Sequence, residues 1–187
     1  MTLIKSISGI RGTIGGKVDQ GLTPIDAVKF AAAYGSWLKH RNPNQKLKVV
    51  IGRDARLSGQ MISDLVIATL IGLGIDVVNL GLSTTPTVEI AVPMETAQGG
   101  IILTASHNPK QWNALKLLNE KGEFISGKEG EALMEIAAQE AFDFAEVDEL
   151  GILTEDDTYL DKHIQEVLNL PLVDVSAIAQ ANFKIVV

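Results

Sequence analysis

Residues 104–109, Thr-Ala-Ser-His-Asn-Pro, place Ser106 and His107 side by side directly after an apolar run. The run, residues 99–103, is predicted to be a buried strand, so the serine and histidine would lie in the turn where it ends. A serine beside an imidazole can act as a nucleophile with a general base, but both residue types also occur in ordinary turns. The rest of the chain must decide between these interpretations.

Two other apolar runs also end in polar residues. Arg53 and Asp54 follow the run at 47–51, and a Ser-Thr-Thr cluster at 83–85 follows the run at 75–80. Ligands of parallel sheets bind beyond the carboxyl ends of the strands, so we expect the three polar clusters to share one edge. Within this edge, Arg53 and Asp54 could simply pair with each other, and the threonines could cap the next helix.

Helical patterns separate these runs. Thr23, Pro24 and Asp26 mark the start of a first helix, which ends at Asn42-Pro43. The second has its apolar stripe at Met61, Leu65, Ala68 and Ile71, the third opens at Thr85, and the fourth begins with a capping box at Ser126 and Glu129. A fourth strand is predicted at 115–118. This alternation predicts an α/β fold, a three-layer α/β/α domain with a mostly parallel mixed sheet.

Composition excludes several classes of function. The net charge is −7 and no run of Lys or Arg forms a basic stripe, so nucleic acid is not an expected partner. There are no cysteines, and the three histidines are far apart in the sequence, which excludes thiolate sites and disfavours a histidine metal site. No apolar stretch is long enough to span a membrane and no signal peptide is evident, so we expect a soluble cytoplasmic protein.

The composition changes near residue 143. We predict one domain at 1–142, an acidic linker at 143–157 and the incomplete start of a second domain at 158–187. In that last part, a helix capped at Thr154 or Asp157 would carry Leu160, Ile164, Val167 and Leu168, followed by a short helix at 176–180 and a strand at 183–187. Because an apolar helix face and a strand both need cover, we expect homo-oligomer contacts through residues 154–187.

Four motifs together resemble the α-D-phosphohexomutases, the phosphoglucomutase, phosphomannomutase and phosphoglucosamine mutase enzymes. Residues 104–109 with 113–116 (NALK) are similar to the active-site signature of that family, although Ala114 stands where the family usually has glycine. Residues 8–12 (SGIRG) resemble its N-terminal arginine loop, 52–59 (GRDARLSG) its G-R-D-x-R-x-S-G segment, and 81–86 (GLSTTP) the loop before its third helix. Residues 183–187 resemble the first strand of its second domain.

The resemblance implies that Ser106 carries a phosphoryl group, which it exchanges with a hexose phosphate through a bisphosphorylated sugar. Arg11 and Lys116 would contact the phosphoryl group or the substrate, with Lys116 assisting proton transfer, and Asn113 would also bind substrate. His107 would shape the site beside the serine. Mg²⁺ would be bound by an oxygen of phosphorylated Ser106 and by three aspartates that lie beyond this chain, so the chain alone would be inactive.

The residues themselves leave other functions open. Pattern alone predicts an α/β protein with a site at the strand ends for an anionic ligand, and the glycine-rich residues 9–16 match neither common nucleotide-binding motif. One alternative is a serine hydrolase that uses Ser106 and His107. Another is a non-catalytic module that binds sugar phosphates. Covalent phosphate on Ser106 would distinguish the phosphohexomutase from the serine hydrolase and the binding module.

Overall fold

The computed structural model describes residues 1–6 and 9–186. Ile7, Ser8 and Val187 lie outside the described residues, and with them Ser8 of the predicted arginine loop and the last residue of the predicted terminal strand. Seven strands form the central sheet of the described part: β1 (Ile4–Ser6), β2 (Gly9–Thr13), β3 (Lys48–Arg53), β4 (Asp76–Leu82), β5 (Gly99–Leu103), β6 (Trp112–Leu118) and β7 (Leu153–Glu155).

The sheet is mixed, as predicted. Its strand order is β1-β2-β6-β5-β3-β4-β7, and β5, β3, β4 and β7 run parallel to one another. β6 runs antiparallel to β5, β2 antiparallel to β6, and β1 antiparallel to β2. The antiparallel β6 therefore begins at the edge where β5 ends, and this brings the residues after β5 next to the start of β6.

Five of the six α-helices in the described residues cover the two faces of the sheet, and α6 buries none of its residues. One face packs against α1, α2 and α4, and the other against α3 and α5. Consecutive residues of β3 alternate between the two cores, with Val49 and Ile51 in the larger and Val50 in the smaller. The helices are α1 (Pro24–Arg41), α2 (Gly59–Gly72), α3 (Thr85–Met94), α4 (Gly127–Gln139), α5 (Tyr159–Leu168) and α6 (Val175–Ala181).

The predicted starts of α1, α3 and α4 are confirmed. The hydroxyl of Thr23 accepts from the backbone N–H of Asp26 at the start of α1, and the Asp26 carboxylate accepts from the Thr23 N–H, which completes a capping box. Ser126 and Glu129 form the same box at α4, and Thr84 caps α3. These local bonds satisfy N–H groups that the first turn of a helix leaves free.

The predicted face of α2 was wrong. Ile62 and Val66 are fully buried, whereas Met61 and Ala68 are exposed. Helix α2 is apolar on nearly every side, so the spacing of its apolar residues does not identify the face that packs on the sheet.

The part of the chain after residue 143 also differs from its prediction. Thr154 does not cap a helix; it lies in β7, which pairs with β4 inside the predicted linker, and α5 begins after Thr158. Residues 183–186 form no strand, and the side chain of Val186 is 97% exposed. A β-branched run becomes a strand only where a neighbour offers hydrogen-bond partners, and the described residues offer none there. No helix in the described part is both long and apolar enough to cross a bilayer.

Candidate active site

A small open cleft of about 120 Å³ lies at the carboxyl end of β5, between the β5–β6 loop and strands β2 and β6. It brings together four of the five predicted site residues, which come from three separate parts of the sequence. The cleft is lined by Arg11, Thr104, Ala105, Ser106, His107, Asn108, Ala114 and Lys116.

Ser106 occupies a strained position in this loop. Its φ is +52°, in the left-handed region that residues with a side chain rarely adopt. Its backbone N–H donates to Thr104 Oγ1 over 3.0 Å, and its own Oγ accepts from Lys116 Nζ over 3.1 Å. The serine hydroxyl is exposed and has a cation as its hydrogen-bond partner, an arrangement that favours negative charge on that oxygen.

The register of the sheet puts the two cations of the cleft on the same face. Arg11 of β2 lies opposite Ala114 of β6, and Lys116 is two residues further along β6. Directly opposed residues share a face, as do alternate residues of a strand. Ala114 has no positive φ and forms a regular part of the strand, so an alanine is accommodated where the family usually has glycine.

Arg11 is half-buried, and its Nε has no hydrogen-bond partner among the described residues. An unpaired buried guanidinium N–H is costly, which makes Arg11 a candidate for binding an anion in the cleft that it lines. The glycines on either side of Arg11 are required by close backbone contacts. A Cβ at Gly9 would overlap the Leu115 carbonyl, and one at Gly12 would come within 2.8 Å of the Leu22 backbone N, so these glycines allow close backbone packing around β2.

His107 and Asn113 take other positions. The side chain of His107 lines the cleft, is exposed and has no hydrogen bond in the described part of the chain, so the partner of Ser106 Oγ is Lys116 and not the imidazole. Asn113 is fully buried outside the cleft; its Nδ2 donates to Ser58 Oγ over 2.9 Å, and its Oδ1 accepts from the Ala114 N–H.

The polar clusters after β3 and β4 do not line the cleft, and only the first is connected to its loop. Asp54 does not pair with Arg53, as one interpretation had it, because its carboxylate bonds Arg56 Nε over 3.0 Å and Thr104 Oγ1 over 2.6 Å. Arg53 instead donates to the Asp54 carbonyl and to Gln60. In the third cluster, Thr84 serves as the cap of α3.

Sequence reasoning missed the role of Arg56. Its guanidinium donates to four backbone carbonyls of the β5–β6 loop, one of them that of Ser106. The one signal in the sequence was its place in the G-R-D-x-R-x-S-G segment. Within the described part of the chain, no three His, Asp or Glu side chains converge as a metal site.

The chain resembles known proteins over most of its length. The family model described as phosphoglucomutase/phosphomannomutase, alpha/beta/alpha domain I, matches residues 3–144. The chain belongs to the phosphoglucomutase/phosphomannomutase family. A phosphoglucomutase/phosphomannomutase of Thermococcus kodakarensis is 37% identical over 179 residues, which cover 94% of this chain and 38% of that protein. A phosphoglucosamine mutase of Latilactobacillus sakei is 38% identical over 123 residues, 65% of this chain and 26% of that protein.

Solved structures of the family share the fold. A candidate phosphomannomutase from Thermus thermophilus superposes with a TM-score of 0.77 at 28% identity, covering 96% of this chain and 38% of that one. A family protein from Burkholderia thailandensis gives a TM-score of 0.72 at 23% identity, covering 91% and 36%. The chain thus spans less than two fifths of the length of each of these relatives.

Proposed function

We propose that this chain supplies the phosphoryl-carrying serine of an α-D-phosphohexomutase, with Ser106 as the carrier. The observation that supports it most directly is the hydrogen bond from Lys116 Nζ to Ser106 Oγ, 3.1 Å long, in a cleft that also contains the unpartnered Nε of Arg11. Phosphoryl transfer depends mainly on positioning and on neutralising charge, and two cations beside one exposed hydroxyl meet both needs.

Each half of the reaction moves one phosphoryl group. A hydroxyl oxygen of the sugar attacks the phosphorus of phosphorylated Ser106, the new O–P bond forms and the Oγ–P bond breaks. Lys116 gives a proton to the leaving Oγ and regains one from the sugar hydroxyl. The bisphosphorylated sugar then returns its other phosphoryl group to Ser106 by the reverse steps, so that a hexose 1-phosphate and 6-phosphate interconvert.

Arg11 would hold the non-bridging oxygens of the phosphoryl group, because a guanidinium donates to two such oxygens at once. Mg²⁺, when bound, would offset the charge of about −2 on phosphoserine. A phosphoryl oxygen on Ser106 is the only ligand that we assign to it here, since none of the described residues that line the cleft is Asp or Glu and the carboxylate of Asp54 is already engaged. The remaining ligands would come from outside these 187 residues.

The alternatives have less support. The hydrolase that uses Ser106 and His107 would need the imidazole on Ser106 Oγ, and the hydrogen-bond partner there is Lys116. A binding module without chemistry would use the same cations and would leave Ser106 unmodified. We propose that interconversion of hexose phosphates also requires the greater length that the relatives have, so that this chain alone would accept a phosphoryl group without turning substrate over.

Intact-mass spectrometry after incubation with a hexose 1,6-bisphosphate and Mg²⁺ tests the proposal. We expect one added phosphoryl group on the chain and none on Ser106→Ala. Ser83→Ala is the matched control, because the Ser83 hydroxyl lies outside the cleft and has no hydrogen-bond partner among the described residues; it should accept phosphate like the unmodified chain. The same samples should show no conversion between the 1- and 6-phosphates. A chain that stays unmodified, or a Ser106→Ala variant that is still phosphorylated, would contradict the assignment of the carrier.

A further inference from the structure

Arg56 lies in the loop between β3 and α2, and its side chain is only 11% exposed. A guanidinium has five N–H donors, and here each has its own acceptor. Nε donates to the Asp54 carboxylate over 3.0 Å. The two terminal nitrogens donate to four backbone carbonyls, those of Ser106, Asn108, Pro109 and Trp112, at 2.7 to 3.0 Å.

These four carbonyls belong to one short segment, residues 106–112, which connects β5 to β6 and begins with the proposed carrier. A segment whose carbonyls all point to one centre needs a cation or several N–H donors there. Arg56 provides both. It thereby holds the loop without lining the cleft and without a hydrogen bond to Ser106 Oγ.

Thr104 holds the other end of Ser106. Its Oγ1 donates to Asp54 Oδ2 over 2.6 Å, and this orientation leaves its lone pairs free to accept from the Ser106 N–H over 3.0 Å. The N–H of Ser106 is therefore bonded to Thr104 and its C=O to Arg56, with Asp54 joined to both. Two fixed peptide groups determine φ and ψ of the residue between them, and the φ of +52° at Ser106 persists because both are held.

We propose that Arg56 and Thr104 are positioning residues that fix the backbone of Ser106 so that its Oγ faces Lys116. The inference deepens the proposed function and rests on it for its catalytic meaning. Lysine cannot replace Arg56, since an ammonium has three donors and no planar fork, and the loop offers acceptors in the plane of a guanidinium. Serine can replace Thr104, since it keeps the hydroxyl, whereas valine cannot.

A cysteine reporter measures the position of this side chain without any phosphoryl chemistry. The natural chain has no cysteine, so Ser106→Cys introduces a single thiol. An ammonium within hydrogen-bond distance lowers the pKa of that thiol below its ordinary value of about 8.5. The pKa is read from the pH dependence of alkylation by iodoacetamide. Lys116→Met in the same chain should bring it back to about 8.5, which establishes that the reporter senses the lysine.

We expect Ser106→Cys alone to show a thiol pKa at least about one unit below the ordinary value. Adding Arg56→Lys or Thr104→Val should raise the thiol pKa most of the way back to its ordinary value, because the side chain at position 106 is no longer held near Lys116. Arg53→Lys is the matched control: Arg53 belongs to the same segment, but its guanidinium contacts Gln60 and the Asp54 carbonyl and not the serine loop. Arg53→Lys and Thr104→Ser should leave the thiol pKa low.

Circular dichroism and thermal unfolding of each variant identify those that fold. If only one of Arg56→Lys and Thr104→Val folds, the thiol pKa of that variant decides whether the inference holds. The inference is overturned if the folded variants keep the low pKa, or if the thiol has an ordinary pKa in Ser106→Cys alone. Failure of the proposed function would give a different result. The thiol of Ser106→Cys would still have a low pKa that depends on Arg56, but Ser106 of the unmodified chain would never accept phosphate.

Discussion

The two cations of the cleft differ in how they are already engaged. Lys116 has a contact with the Ser106 hydroxyl, whereas the Nε of Arg11 has no hydrogen-bond partner in the described part of the chain. Under the proposed function, Arg11 would bind the phosphoryl group and Lys116 would assist at the serine oxygen. His107 lines the same cleft without any such contact.

The contacts of these three residues predict how strongly a substitution of each slows phosphoryl uptake from a hexose 1,6-bisphosphate. Arg11→Met and Lys116→Met should each slow it by at least about tenfold, because removal of a charge-assisted hydrogen bond to the transferring group costs about 1.5 to 3 kcal/mol. His107→Ala should slow it less. Quenched time courses read by intact mass give the three rates. Equal rates for the unmodified chain and both methionine variants would contradict the role of the cations.

Residues differ in how far their roles could be predicted from sequence. The positions of Ser106 and Lys116 in the cleft could be predicted, because their motifs identify them and the strand pattern puts the serine at the end of a strand. The function of Arg56 could not be predicted from the pattern. Four of its five acceptors are backbone carbonyls some 50 residues away, and every residue type has a carbonyl, so no sequence pattern reveals that partnership.

At the scale of elements, α5 is attached to the domain by its first turns. The Tyr159 side chain is 2% exposed and its hydroxyl donates to Glu95 Oε1 over 2.6 Å. One turn later, His163 Nδ1 lies 3.0 Å from Thr87 Oγ1 of α3. The bond from Tyr159 holds the pKa of Glu95 below its ordinary value of 4.5, with a smaller contribution from Lys48. The attachment therefore depends on an ionised carboxylate.

Tyr159→Phe should destabilise the chain by about 1 to 2 kcal/mol at neutral pH, since it removes a hydrogen bond to a charged acceptor and keeps the ring. Because the folded-state pKa of Glu95 is lowered, the stability from its ionised form is present above the unfolded value of 4.5 and is lost as pH falls through the folded value. The difference in the free energy of unfolding between the unmodified chain and Tyr159→Phe should therefore become smaller below pH 4.5. Urea unfolding across this pH range measures it.

Tyr34→Phe is the control for that titration. Tyr34 is fully buried and its hydroxyl donates to the Leu118 carbonyl over 2.6 Å, an acceptor that does not ionise. The cost of its removal should be the same on both sides of pH 4.5. If Tyr159→Phe lowers the free energy of unfolding by the same amount on both sides of pH 4.5, Glu95 is not the titrating group through which Tyr159 stabilises the fold.

Elements were predictable where local chemistry determines them. The capping residues of α1 and α4 identify the helix starts, because the bonds that they make lie within four residues. The packing face of α2 was not predictable, since its apolar residues are found nearly all round and the sheet decides which side is buried. Strand β7 and residues 183–186 illustrate the same limit. The three residues of β7 form a strand because β4 lies beside them. Residues 183–186 are more strongly β-branched but form no strand, because no strand of the described residues lies beside them.

At the scale of the whole molecule, apolar surface is concentrated after residue 158. Helix α5 buries Tyr159 but leaves partly exposed Leu160, Ile164, Val167 and Leu168. The segment after it adds strongly exposed apolar side chains, Leu172, Phe183, Ile185 and Val186. Single exposed apolar residues are ordinary, but four of them on one face of a helix, such as those of α5, are typical of a surface that contacts another molecule.

The homo-oligomer expected from the sequence is therefore retained as a prediction for residues 154–187. Two copies that bring their α5 faces together would cover the same residues on each, as a two-fold interface requires. Light scattering should give a mass above that of one chain and rising with concentration, and Ile164→Lys with Val167→Lys should lower it to one chain, because a lysine ammonium cannot be buried there without a partner. Ile25→Lys is the control, since Ile25 is 61% exposed on α1, far from this surface in the fold, and should leave the mass unchanged. A mass of one chain at every concentration, or association that survives the two lysines, would show that α5 is not the contact.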